Sequence, residues 1–240
     1  MPESPGSPDS RDATRQLLRL QAWLSPAFPV GGFSYSHGLE EAVAAGDVTD
    51  VDGLFAWTEA AVSFGTGRVD GMLLVTAWQA VAESGTDRLM EIAVIGAAMR
   101  GAAELALESL AQGAAFLSTV QAAWPNPAVE AAVTELEESG IRPALPIAVG
   151  IVCACHDVPV ESALPMYLQS FAAAIVSAGV RLIPLGQTDG QSVVARLQPA
   201  IERASEAALN TPFEDIGGGA PMIDLASMSH ETRDGRLFRS

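Results

Sequence analysis

The chain has 240 residues, which suits one large domain or two small ones with a substantial core. Hydrophobic residues make up 49% and aromatic residues 6%, so we expect a core of Ala, Leu, Val and Ile, in a composition that favours helix. The formal net charge of −16 repels phosphate backbones and anionic lipid, which argues against a nucleic-acid-binding protein and against a membrane-surface protein.

The cysteines and the first residues predict a reducing, cytoplasmic location. Cys153 and Cys155 are the two cysteines, and they stand too close in the sequence to pair well with each other. The opening "MPESPGSPDSRDAT" is polar and rich in Pro and Ser, without the apolar run of a secretory signal. We predict that residues 1–13 are disordered, because such a segment buries too little area to fold.

In chain order, the first half of the sequence predicts helices separated by clear breaks. "SPAFPVGG" ends a first helix, since two prolines and two glycines disfavour both helix and central strand. Ser36 can cap a second helix, whose first turns carry Glu40, and Asp50 or Thr49 can cap a third. We place these helices, and a fourth one, at about 14–24, 36–45, 50–64 and 70–84.

The second half continues the helical pattern. The Ala/Leu region 88–123 predicts two helices with a break near Gly101 or Gly113. Further helices follow at 127–140, 145–157, 160–182 and 191–209. The segment 162–180 has no charge and is long enough to span a bilayer, but its Pro, Gln, Ser, Gly and Ala favour a helix buried among other helices.

These observations predict an all-α fold with a single compact multi-helix domain. We divide the chain into a disordered N-terminal extension (1–13), an all-helical domain (14–210) and an extended C-terminal tail (211–240). The tail is Gly-rich at first and then mixes apolar residues with arginines, without a clear helical period. Tails of this kind often become ordered on a partner.

The stretch "PVGGFSYSHGLEEAV" at 29–43 carries many residues with special backbone or hydrogen-bonding properties. His37 in this stretch can be a lone metal ligand, a base, or a histidine hydrogen-bonded at a packed helix start, and we favour the last. A hydrolase that pairs His37 with Ser34 or Ser36 is a further alternative, although no orienting carboxylate or oxyanion hole can be identified. The sequence contains no Walker A loop, GxGxxG or GxSxG motif.

Two other stretches deserve a functional hypothesis. In "CACH", Cys153 and His156 lie three residues apart on one helix face, Cys155 points elsewhere, and these ligand types suit nickel or zinc. We favour two buried thiols and a helix-end histidine, because no second ligand pair is near in sequence. In "RLIPLGQTDGQ", Gln187 and Gln191 flank a turn in which Asp189 can cap the next helix. If buried, such a polar cluster needs partners.

Three segments together resemble the signature blocks of the UreF family of urease accessory proteins. They are "LSPAFPVGGFSYSHGLEEAV" at 24–43, "VRLIPLGQTDGQ" at 180–191 and "IDLASMSHETRDGRLFRS" at 223–240. Their order and spacing match that family, and the resemblance covers the chain from about residue 14 to the end. The N-terminal extension departs from the pattern, and "CACH" does not belong to it.

The resemblance implies an all-helical, cytoplasmic and dimeric protein without enzymatic activity. Such proteins bind UreD (also called UreH) and the GTPase UreG, and they act in delivering nickel to apo-urease. The resemblance thus implies a scaffold that recruits UreG and modulates its GTPase step, with nickel as the cargo and no stably bound cofactor. An alternative is a metallochaperone that binds nickel through His37 or through Cys153, Cys155 and His156.

We also predict which residues contact partners. Glycines allow close approach of another chain, aromatic residues supply anchors, and Ser and His supply directional contacts. In the tail, Arg236 and Arg239 are expected to make charge-assisted contacts, and Leu237 and Phe238 to be buried. Deleting 222–240 should then abolish UreD binding and leave the body folded. The predicted partner-binding residues are Pro29, Gly31, Gly32, Phe33, Ser34, Tyr35, Ser36, His37, Gly38, Glu40, Gln187, Asp189, Gln191, His230, Arg236, Leu237, Phe238 and Arg239.

Overall fold

The computed structural model describes residues 10–239, and within this range the secondary structure is helical without a strand. This confirms the predicted all-α class and the single compact domain. The described α-helices are α1 Ser10–Trp23, α2 Leu39–Ala45, α3 Val51–Ser63, α4 Thr66–Ala82, α5 Thr86–Ala98, α6 Ala103–Ala123, α7 Pro127–Glu138, α8 Leu145–Cys155, α9 Val160–Leu182, α10 Gln187–Leu209 and α11 Pro221–His230. Short 3-10 turns cover Gly32–Ser34 and Phe213–Asp215.

The core is centred on α8, which packs against α4 on one side and α6 on the other. Eight of the eleven residues of α8 are buried, as expected for a short apolar helix surrounded by neighbours. Gly150 lets α8 approach α4 closely, because a Cβ at this position would lie 2.6 Å from the carbonyl oxygen of Leu74. Around this centre, α9 packs against α10 and α3.

Helix α9 has the length and mean hydropathy, 1.4, that would allow it to cross a membrane. Half of its most apolar window is buried inside the protein, and the helix contacts α3, α4 and α10. These contacts are those of a core helix, as the sequence predicted. No other helix of the described range 10–239 has comparable length and hydropathy.

Several helix boundaries differ from the predictions. Residues 10–13 were assigned to the disordered extension but belong to α1, because the helix begins at Ser10; the remainder of that extension lies outside the described residues. Helix α2 begins at Leu39 rather than Ser36, because His37 and Gly38 have left-handed backbones with φ of 53° and 73°. The chain breaks near Gly101, whereas Gly113 lies inside α6.

The C-terminal segment also differs from the extended tail that we predicted. Residues 221–230 form α11, which packs against α2 and α6 of the same chain. Ile223, Ser227 and His230 face inward and are buried. The apolar residues of this short helix lie on two sides of it, which is why the sequence shows no single apolar stripe.

Candidate functional site

The structure brings the three sequence blocks of the family resemblance together. The backbone N–H of Arg239 donates to the carbonyl oxygen of Ser34 at 2.7 Å. Arg181 donates to the carbonyl oxygen of Phe33 at 3.0 Å, and its guanidinium group lies 4.4 Å from the centre of the Phe238 ring. Burial lowers the pKa of Arg181. The turn before α2, the end of α9 and the C-terminal tail therefore form one surface.

Glu40 holds the tail on α2. Its carboxylate accepts the backbone N–H groups of Leu237 at 2.8 Å and Phe238 at 2.9 Å, and it lies 3.0 Å from Nε2 of His230. Burial by itself raises the pKa of Glu40, but these hydrogen bonds bring the pKa below its ordinary value. A carboxylate at the start of a helix therefore anchors three residues of the tail.

His230 is fully buried between two helices. Its Nδ1 atom lies 3.0 Å from a carboxylate oxygen of Glu104 on α6, opposite the contact with Glu40 on α2. Arg236 pairs with the other oxygen of Glu104, and Arg233 pairs with Glu41 at 2.8 Å. We call this group the tail cluster: Glu40, Glu41, Glu104, His230, Arg233 and Arg236.

The tail also caps the N-terminus of α6. Ala102, the residue before α6, provides no side-chain cap for this helix. Instead, the carboxylate of Glu231 accepts the backbone N–H groups of Ala103 at 2.7 Å and Glu104 at 3.3 Å. A residue of the tail thus supplies the negative charge and the acceptor that a helix N-terminus favours.

Gly38 makes room for α11. A Cβ at Gly38 would lie 2.8 Å from Oγ and 2.9 Å from the backbone nitrogen of Ser227. Gly38 has a left-handed backbone as well, so any other residue meets both strain and a clash. Ser36, two residues earlier, is buried and its Oγ accepts the N–H of Glu40 at 3.3 Å, so the predicted capping role is present although the helix begins later.

A second polar group lies inside the body, on the other side of the 34–40 turn. Arg100 and Asp70 form a buried ion pair at 2.7 Å, with side chains 4% and 5% exposed. Tyr167 donates its hydroxyl to Asp70 at 2.6 Å, and Arg100 donates to Ser109 at 3.0 Å. Burial and the neighbouring Asp70 raise the pKa of Tyr167 well above its usual range. We call these residues, with His37 and Glu108, the inner cluster.

His37 contacts a second member of the inner cluster, Glu108. Its Nε2 atom lies 3.5 Å from Glu108, and its ring packs edge-on against Phe171 with centroids 4.9 Å apart. Burial, followed by the charge of Arg100, lowers the pKa of His37 to about 4, so the ring is neutral at neutral pH. Members of the inner cluster, including His37, border a cavity of about 110 Å³, which has room for a few water molecules. His37 is thus a packed histidine at a helix start.

The "CACH" stretch forms the end of α8. Cys153 is fully buried, and burial raises the pKa of its thiol to about 12. Burial and Asp157 raise the pKa of Cys155 to about 11, and His156 packs against the ring of Trp23 at 5.3 Å. Within residues 10–239 no group of three or more His, Cys, Asp or Glu side chains is arranged to hold a metal ion.

The polar residues 187–191 lie on the first turns of α10. The predicted turn at 187–191 is wrong, because α10 begins at Gln187 rather than at 191; Asp189 lies in its first turn and accepts the N–H of the N-cap residue Gly186 at 2.9 Å. Gln187, Asp189 and Gln191 are exposed, so their amides and carboxylate need no buried partner. In this sequence block it is Arg181, which we did not select, that contacts the tail.

The exposed side of α11 is apolar. Met222 is 66% exposed, Leu225 60% and Met228 47%, and their spacing of three places them on one face. We call these three residues the α11 stripe. Met222 also borders an apolar groove between α3 and α11 that Phe64, itself largely exposed, lines from the other side. Methionine-rich, exposed apolar surfaces are typical of protein-binding sites.

The predicted partner-binding residues therefore fall into two groups. Phe33 and Leu237 are largely exposed, and Arg236 and Arg239 are exposed. Ser36, Glu40, His230 and Phe238 are buried in contacts within the chain, so we assign them to holding the turn and the tail in place. Their role in binding a partner stays a prediction, as does that of Pro29, Gly31, Gly32, Ser34, Tyr35 and Gly38.

The sequence alone does not show which residues the charged side chains of the two clusters contact. Glu104 in the tail cluster and Glu231 at the start of α6 look like ordinary helix and tail carboxylates in the sequence, because their partners lie more than 120 residues away in the chain. Asp70 and Arg100 gave a weak signal, since each is a charge within an apolar segment. Such isolated charges predict a buried pair but not which residues form it.

A protein-family model and several known proteins match this chain in sequence. The family model for UreF matches residues 48–198. A urease accessory protein UreF from Granulibacter bethesdensis is 46% identical over 98% of each chain, and one from Rhodopseudomonas palustris strain HaA2 is 45% identical over the full length of both. One from Bradyrhizobium sp. strain BTAi1 is 44% identical over 93% of this chain and 92% of its own. The chain belongs to the UreF family of urease accessory proteins.

Proposed function

We propose that this protein is a non-catalytic scaffold in urease maturation. It binds UreD (UreH), recruits the GTPase UreG to the complex of UreD with apo-urease, and modulates the GTPase step. We also propose that it works in the cytoplasm as a homodimer. The observation that carries the proposal is the convergence of the three family blocks beside the α11 stripe, because a rigid apolar surface on a docked tail is what a scaffold needs.

The docking surface that we propose is the outward face of the tail rather than its buried residues. The inner face of α11 and Phe238 are occupied by contacts with the body, whereas Met222, Leu225 and Met228 are free of the core. Phe33 at 73% and Leu237 at 66% exposure are further exposed apolar side chains of the turn and the tail. Apolar anchors surrounded by polar groups carry much of the binding free energy in protein interfaces.

A pull-down with UreD and UreG tests the proposal. The triple variant Met222→Ser/Leu225→Ser/Met228→Ser should lose UreD and, with it, UreG. The control Leu18→Ser/Val94→Ser changes apolar side chains that are 65% and 55% exposed but lie on α1 and α5, and it should bind normally. Equal capture by both variants and the wild type would remove the α11 stripe from the proposal. Failure of the wild type to bind either protein would overturn the scaffold role.

Tyr35→Ala tests the turn before α2. Tyr35 is half-buried next to the exposed Phe33, so we expect weaker assembly with little change in the melting temperature. Circular dichroism and the pull-down separate the two effects. A melting temperature that falls together with binding would show that the turn has only a structural role.

We propose that nickel is the cargo of the assembly and not a resident cofactor of this chain. The thiols of Cys153 and Cys155 keep their protons at neutral pH, and His37 is enclosed beside Glu108 and Phe171. Equilibrium dialysis of nickel against the purified protein tests this. Binding at micromolar concentration or tighter would favour the alternative, a metallochaperone that binds nickel itself.

A further inference from the structure

The geometry around His230 requires a doubly protonated ring. Nδ1 lies 3.0 Å from Glu104 and Nε2 lies 3.0 Å from Glu40, and both contacted atoms are carboxylate oxygens. A neutral imidazole has one N–H and one lone pair, so one of the two contacts would set a lone pair against a carboxylate. Only the imidazolium donates a hydrogen bond on each side.

Both carboxylates have partners other than His230 that favour the charged form. Glu40 accepts two backbone N–H groups of the tail, at 2.8 and 2.9 Å. Glu104 is paired with Arg236. A proton on either carboxylate would weaken these contacts, so the proton that the site needs belongs on the histidine.

We propose that His230 is a protonation-dependent latch for the C-terminal tail. While the ring carries both protons, it joins α11 to α2 through Glu40 and to α6 through Glu104. When the ring loses a proton, one of these contacts becomes repulsive in a site that water does not reach, and the tail opens. This inference does not depend on the proposed function.

The other charges near the latch act in the same direction. Glu41 on α2 and the tail residue Glu231, which contacts the start of α6, add two carboxylates; Arg233 pairs with Glu41, and Arg236 pairs with Glu104. Four carboxylates therefore face two arginines and His230. Loss of the histidine proton leaves two carboxylates uncompensated instead of one, which favours separation of the tail from the body.

Opening of the latch has consequences beyond the tail. It removes the Glu231 carboxylate from the first N–H groups of α6, and it uncovers Phe238. The α11 stripe loses the rigid support of α2 and α6 at the same time. The protein would thus present an ordered docking surface at lower pH and a mobile one at higher pH.

Amide hydrogen exchange of the full-length protein tests the latch. The N–H groups of Leu237 and Phe238 are direct probes, because both donate to Glu40. The closed tail binds one proton more than the open tail, so the opening equilibrium should rise with pH, by up to about tenfold per pH unit, after correction for intrinsic exchange. Amides of α8, in the core, should show no such change.

Three variants complete the experiment. His230→Gln should remove the pH dependence of the tail amides, whereas His156→Gln, which changes a histidine away from the tail, should retain it. Glu104→Gln should keep the tail closed at higher pH than the wild type, because an amide can turn its NH₂ group toward a neutral ring nitrogen. Tail protection that is independent of pH in the wild type, or equally pH-dependent in His230→Gln, would overturn the proposal.

Discussion

At the scale of single residues, two buried polar clusters lie on either side of one short turn. His37 faces the inner cluster and Glu40, three residues later, belongs to the tail cluster. Buried charges are costly unless they are paired and hydrogen-bonded, and Asp70 with Arg100 and Glu40 with His230 form such pairs. The turn at 34–40 is rich in special residues because it serves both clusters within a few residues.

The pair of Asp70 and Arg100 leads to a stability prediction. Asp70→Asn leaves the guanidinium of Arg100 buried without its countercharge, which we expect to cost about 3 kcal/mol of unfolding free energy. Tyr167→Phe removes one hydrogen bond from the same carboxylate and should cost about 1 kcal/mol. Urea denaturation measures both values. Equal costs for the two variants would contradict the importance of the charge pair.

His37 leads to a prediction for pH. Its pKa is lowered to about 4 in the folded protein, so the unfolded chain binds this proton more readily. The contribution of His37 to stability is therefore complete above about pH 6.5 and decreases, by up to about 1.4 kcal/mol per pH unit, as the pH falls toward 4. His37→Asn, in which Asn also tolerates a left-handed backbone, should reduce this decrease. Denaturation of the wild type and of His37→Asn at several pH values measures how the unfolding free energy depends on pH. The same dependence in both proteins would show that His37 does not contribute to it.

At the scale of elements, the packing of α11 on α2 depends on one glycine. Gly38→Ala introduces a methyl group 2.9 Å from the backbone of Ser227, in addition to the strain of a left-handed backbone. Gly46→Ala is a matched control, because Gly46 is also left-handed, with φ of 84°, but has open space around it. We expect about 1 kcal/mol for the control and a larger loss for Gly38→Ala.

The same pair of variants separates strain from packing. Hydrogen exchange of α11 should increase in Gly38→Ala and stay at the wild-type level in Gly46→Ala, because only Gly38 touches that helix. If both variants lose the same stability and keep α11 protected, Gly38 contributes backbone conformation and no contact.

At the scale of the whole molecule, the tail is a docked part of the domain. Phe238→Ala removes a ring that is 3% exposed, whereas Leu237→Ala changes a neighbour that is 66% exposed. Phe238→Ala should open the tail and make the bonds after Arg233, Arg236 and Arg239 more sensitive to trypsin, and Leu237→Ala should not. The melting temperature should fall in Phe238→Ala, because the undocked tail no longer buries this ring against the body, and should change little in Leu237→Ala. Equal sensitivity of both variants would contradict the docking.

The docked tail also changes what deletion of 222–240 is expected to do. From the sequence, we expected the truncated body to stay folded with only partner binding lost. The structure shows that the tail buries Ile223 and Phe238 and donates two backbone hydrogen bonds to Glu40. We therefore now expect truncation to lower the unfolding free energy by roughly 3 kcal/mol. Substitution of the α11 stripe is therefore the cleaner test of binding.

The sequence by itself determined the class of fold and most of the helices. Helix propensity, apolar spacing and breaks at Pro and Gly are local signals, and they narrowed the break to Gly101 or Gly113 and the cap to Asp50 or Thr49; the structure has the break near Gly101 and the cap at Asp50. The three family blocks also identified where the surface of interest would form. The start of α2 was placed too early because His37 and Gly38 have left-handed backbones, and the close approach of α11 to Gly38 is a long-range contact that no local pattern reveals.

Only the tertiary structure decided which charges meet. His230 lies between Glu40 and Glu104, residues separated from it by more than 120 positions in the chain, and Arg100 meets Asp70 across two helices. The sequence shows each charge alone, and a lone charge in an apolar helix has several possible partners. The packing of α2, α6 and α11 selects one set of partners for His230, because a buried charge without a partner is costly and the two carboxylates lie within hydrogen-bond distance of its ring.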